Sequence, residues 1–133
     1  MQLNILKTKF PKIKKIPGVG TKAVYIKNGE LITNLKSKPL NSTKSLDFFD
    51  DGTNTYYVCK YTKGTGGSQD NQYEDVVLSA QGVRTIKEAN LCEQNFVFLL
   101  DGDHYTDTKL KNLKKLISPE KNKNILVKTS RDI

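Results

Sequence analysis

Residues 95–100 read NFVFLL, and this apolar run constrains the fold more tightly than any other part of the chain. Side chains alternate across a strand, so a run without polar alternation fits a strand buried on both faces. At this length it is far too short to span a bilayer. The residues before it supply a partner and a connection. Residues 55–62, TYYVCKYT, are dense in Tyr, Val and Thr and read as a strand. From Asp70 onward the period changes, because Tyr73, Val76, Val77 and Ala80 recur at i, i+3, i+4 and i+7, which makes one apolar helical face. Gly82 is expected to end or bend that helix, with a second helical piece through Ile86 to Cys92. After the apolar run, Asp101, Gly102 and Asp103 turn the chain. Thr106 or Asp107 is set to cap a helix with Leu110, Leu113 and Ile117 on its inner face, and Pro119 lies just beyond. NILVKT, residues 124–129, gives a last strand.

The first third is read in the same way. Residues 2–9 make a short helix that Pro11 ends, since proline interrupts helical hydrogen bonding. KAVYIKNGELIT, residues 22–33, places an Asn28-Gly29 turn between β-prone flanks and predicts a hairpin. KSLDFF, residues 44–49, reads as another strand, followed by the turn residues Asp50, Asp51, Gly52 and Asn54. The order is helix, three or four antiparallel strands, helix, strand, helix, strand. That order predicts an α/β fold, a mixed central sheet with antiparallel hairpin strands flanked by helices. With 133 residues the chain is the size of one domain, 1–133, opening on a basic segment, 1–43.

Charge narrows the class of partner. The net charge is +8, and the first 46 residues hold ten lysines against one acid, Glu30. A polyanion partner follows from that asymmetry, although a lysine-rich solvated surface accounts for the same composition. Arg84 and Arg131 are the only arginines, so contacts to phosphate by lysine are easier to supply than bidentate base recognition. A mean hydropathy of −0.55 and an N-terminus without a signal-peptide pattern predict a soluble, cytoplasmic protein with no membrane partner. Cys59 and Cys92 lack metal-binding spacing and are expected to be free thiols.

One lysine stands apart from the rest. Val58 and Lys60 face one side of their strand, and Cys59 and Tyr61 the other. If Asp50 pairs with Thr55 around a four-residue turn, Asp47 falls opposite Val58, with Lys60 its diagonal neighbour at roughly 7–8 Å. An ordinary cross-strand ion pair explains that pattern as well. The chain then leaves the strand through Gly64, Gly66 and Gly67, and Asp70, Gln72 and Glu74 occupy the first turns of the helix. Two carboxylates and a lysine suit phosphodiester hydrolysis: hard oxygen ligands hold Mg²⁺, which stabilises charge on phosphoryl oxygens, and a lysine orients or activates water.

Asp47, Lys60 and the following helix resemble the core of the PD-(D/E)xK nucleases, as found in type II restriction endonucleases. KYTKGTGGSQDNQYEDV and the downstream FLLDGDHYT are also similar to a restriction-endonuclease catalytic region. The resemblance spans about residues 45–133. Leu46 stands where the family often has proline, and Val58 where it usually has Asp or Glu. Some members carry that acid on the following helix, about fourteen residues after the lysine, and Glu74 holds that position. The resemblance implies a restriction-endonuclease-like core and a Mg²⁺-dependent endonuclease cutting double-stranded DNA. Asp47 and Glu74 would bind the metal, Asp70 would be the alternative ligand, and Lys60 would position the nucleophile. Lys14, Lys15, Lys22, Lys63, Gln69 and Gln72 are the expected DNA contacts. A noncatalytic DNA-binding or partner-binding domain on the same fold is the alternative. So small a chain has little material for base readout, which suggests a homodimer on a symmetric site or a part of a larger enzyme.

Three weaker signals remain. KIPGVGTKA, residues 15–23, looks like the hairpin of a helix-hairpin-helix motif, but the strands expected after it argue against a second helix. The glycines of GTGGS could admit a phosphate or simply form a turn. DGDHYT holds the single histidine, His104, for which a turn after a buried strand is a better account than acid-base chemistry.

Overall fold

The computed structural model describes residues 2–17, 20–27, 30–34, 46–62, 67–88, 94–117 and 125–132. Helix α1, Gln2–Lys9, is followed by strands β1 (Ile13–Lys15), β2 (Tyr25–Lys27), β3 (Glu30–Ile32), β4 (Phe48–Asp50) and β5 (Thr55–Tyr61). Then come α2 (Gly67–Glu88), β6 (Asn95–Asp101), α3 (Asp107–Leu116), β7 (Ile125–Lys128) and a closing 3₁₀ turn, Ser130–Asp132. The fold is α/β, with a mixed five-stranded sheet in the order β1-β4-β5-β6-β7. β1, β4 and β5 pair antiparallel, and β5, β6 and β7 pair parallel. No helix among the described residues is long and apolar enough to cross a membrane.

The uninterrupted apolar run behaves as its composition demands. Phe96, Phe98 and Leu100 join Val58, Ile125 and Val127 in a core shared with Val76, Ala80, Val83 and Ile86 of α2 and Leu113 of α3. Val97 and Leu99 join Tyr57 in a second cluster with Leu6 of α1 and Ile13 of β1. Alternate residues of β6 therefore enter two different cores, and the sheet is covered on both faces.

Three expectations are corrected. The β2–β3 hairpin forms, antiparallel as predicted, but it makes a sheet of its own beside α2. The edge of the central sheet is taken instead by β1, a strand the sequence pattern did not announce. Gly82 does not end α2, which runs on to Glu88: a Cβ there would stand 2.5 Å from Ile26 Cγ2, so the glycine lets helix and hairpin approach closely. Ile86 consequently belongs to the same helix, which starts at Gly67, three residues before Asp70. Lys15 ends β1 and Tyr25 starts β2, so the described elements on either side of residues 16–24 are strands, in line with the argument against a second helix. Thr106 caps α3 as expected, its hydroxyl accepting from Lys109 N–H at 3.3 Å.

Candidate functional site

The β4–β5 turn fixes the register on which the site depends. Asp50, buried, accepts from Gly52 N–H at 3.2 Å and from the Thr53 hydroxyl at 2.5 Å, while Asn54 adopts φ of 54°, which closes the turn. Asp50 then pairs with Thr55 and Phe48 with Tyr57. The ladder ends at Phe48, and Asp47, the residue before it, bonds out of that register. Its N–H donates to the Tyr57 carbonyl at 3.1 Å, and its Oδ2 accepts from Cys59 N–H at 2.8 Å. The carboxylate thus serves as the acceptor at the point where the ladder stops, and this fixes its orientation. Lys60, half-buried, lies two residues beyond Val58 on the same face of β5.

The end of β5 is clamped from three sides. Thr62 N–H donates to the Asp101 carbonyl at 2.9 Å, and the Thr62 carbonyl accepts from His104 N–H at 3.2 Å. The Thr62 hydroxyl donates to Gln72 Oε1 at 2.9 Å and lies 3.0 Å from the Tyr105 hydroxyl. Gly102, at φ of 101°, makes this approach feasible, because a Cβ there would overlap the Thr62 carbonyl. His104 is buried, with Nε2 3.1 Å from Lys109 Nζ and its ring edge-on to Tyr73 and Tyr105. Asp101 accepts from Ser130 N–H at 2.8 Å and from the Ser130 hydroxyl. The DGDHYT segment thus ties down the end of β5 and the closing 3₁₀ turn.

The phase of α2 decides which helical acid overlooks Asp47 and Lys60. Gln72 anchors the helix at Thr62, and Val76, one turn on, packs in the cluster that contains Val58. Glu74 is two residues from each, about 200° around the helix. It lies on the outer face with the exposed Leu78, Gln81 and Thr85, so the structure does not bring Glu74 to Lys60. Asp75 is half-buried and precedes Gly82 by seven residues, almost two turns, so the two share a flank. That flank meets Ile26, and the adjoining Val24 carbonyl accepts from Leu46 N–H at 2.8 Å, next to Asp47. The opposite flank faces α3, through Arg84 to the Leu116 carbonyl at 2.9 Å and Tyr73 beneath Lys109. Asp75 therefore lies on the Asp47 side of the helix. Helical phase relative to Val76 and Gly82 was the signal in the sequence that could have singled it out.

Of the other expected residues, Lys14, Lys15 and Lys22 are exposed, and Gln72 is occupied with Thr62. Lys63 and the side chains of Gln69 and Asp70 lie outside the described residues. Burial, then the nearby Asp47 and Asp101 carboxylates, push the Cys59 thiol well above its ordinary range, so it stays protonated. Among the described residues no three His, Cys, Asp or Glu side chains gather as a ready metal site. Comparisons with protein-family models, with curated proteins and with solved structures found no match to this chain.

Proposed function

We propose that the chain is a metal-dependent endonuclease acting on double-stranded DNA, in the manner of the PD-(D/E)xK enzymes. The observation that carries this reading is a single one: the Asp47 carboxylate accepts from Cys59 N–H at 2.8 Å, one residue before Lys60 on β5, and Asp75 is half-buried on the flank of α2 away from α3. The order β4, β5, α2, β6 agrees with it. Asp47 and Asp75 present hard carboxylate oxygens, which fit Mg²⁺ better than a softer ion. Bound there, Mg²⁺ would neutralise charge building on the phosphoryl oxygens. The bond from Cys59 N–H keeps Asp47 aimed without protonating it. Lys60 holds the attacking water and stabilises the hydroxide character it gains, and the clamp on Thr62 fixes the strand that carries it.

Val58, 7% exposed and packed in the core, favours a second reading, a noncatalytic DNA-binding domain on the same scaffold. The two separate cleanly. Mixed-sequence duplex DNA incubated with the protein and Mg²⁺ is expected to be cut. Asp47→Ala and Lys60→Ala should each slow cutting by ~10²–10⁴-fold while circular dichroism stays native. Cutting that persists in both variants removes this site from consideration. DNA bound but never cut leaves the noncatalytic domain.

A further inference from the structure

Two sets of lysines sit at opposite edges of the sheet. Lys111, Lys114 and Lys115 are exposed on α3, which packs beside β7. Lys7, Lys9, Lys12, Lys14 and Lys15 are exposed along the end of α1 and along β1. Residues 1–29 contain no acid at all. We infer that the β1 edge, Lys12, Lys14 and Lys15 with Lys7 and Lys9 behind them, is the track that takes the DNA phosphate backbone.

Placement distinguishes this edge from the other. Lys15 pairs with Phe48, and Ile16 N–H donates to the Asp47 carbonyl at 2.8 Å, so the lysine strand runs directly into the residue that begins the candidate site. Lys12 lies across the β4–β5 turn, its Cδ 3.5 Å from where a Cβ on Gly52 would stand. Ile13 is buried between these lysines and anchors the strand, so the cations are presented by an ordered ladder and not by a loose tail. Lysines on an edge strand also discourage pairing with a second sheet, but that role needs only β1, whereas the charges continue over α1 and the turn. Lysine contributes a point charge suited to phosphate and little base discrimination, so binding here is sequence-independent and strongly salt-dependent.

This inference rests on the nucleic-acid part of the proposed function and not on catalysis, and its test keeps them apart. Binding of a mixed-sequence duplex is measured by fluorescence anisotropy in EDTA, across a salt series. The triple variant Lys12→Gln, Lys14→Gln, Lys15→Gln is expected to flatten the slope of log K against log salt by about 3. Lys111→Gln, Lys114→Gln, Lys115→Gln should leave the slope within error of the parent. Equal losses in the two triple variants would overturn the assignment, because charge alone would then be acting. So would unchanged DNA binding by the β1 variant together with lost binding to anionic phosphatidylserine vesicles. Because binding is read in EDTA, where no cutting occurs, a protein that binds DNA without cleaving it leaves this result intact.

Discussion

At residue 58 the chain carries a buried valine on the face of β5 that bears Lys60, so in the proposed nuclease a second carboxylate would come from another element. Asp75 and Glu74 differ by one residue but by about 100° of helical phase, and only Asp75 is on the flank facing Asp47. Asp75→Asn should therefore depress Mg²⁺-dependent cutting as strongly as Asp47→Ala, whereas Glu74→Gln should leave the rate within about two-fold; single-turnover cleavage decides between them. The sequence made the pairing of Asp50 with Thr55 legible, because a four-residue turn and strand alternation fix that register. It could not choose between adjacent acids, because a count of residues after Lys60 ignores where the helix starts. Gly102→Ala tests the neighbouring clamp. Its Cβ would overlap the Thr62 carbonyl at a positive φ, so a loss of at least ~1–3 kcal/mol in urea unfolding is expected.

Element by element, the buried strand, both long helices and the hairpins were readable from periodicity and turn chemistry. β1 was not, since three residues with two exposed lysines carry almost no pattern, and pairing with β4 alone makes them a strand. The placement of β2–β3 was equally hidden, because it depends on a tertiary contact, Gly82 against Ile26. Glycine inside an exposed helix is ordinarily worse than alanine by about 1 kcal/mol. Here Gly82→Ala should destabilise nonetheless, as the new methyl meets a stiff, buried, β-branched side chain. Ile26→Leu moves the branch away, so the double variant should be less destabilised than the two single changes added together, a non-additivity that a double-mutant cycle in urea would measure.

Over the whole molecule, buried acids of high pKa set the alkaline limit. Burial, with Asp50 and Cys59 adding to it, raises the Tyr57 hydroxyl to about 12, and burial raises Tyr73, Tyr105 and Cys59 as well. The folded protein then keeps protons that the unfolded chain has lost. Their contribution is complete below the ordinary thiol value near 9 and is lost as pH rises past it. Urea midpoints should be level from pH 7 to 8.5 and fall by pH 10.5, and a midpoint that rises over that interval would contradict the burial of these groups. The clamp on Thr62 also imposes an order in time. Apart from Gln72, its partners Asp101, His104 and Tyr105 are made some forty residues after the strand they secure. A chain still on the ribosome holds the end of β5 without these three partners, and the clamp closes only once β6 and the loop after it have emerged.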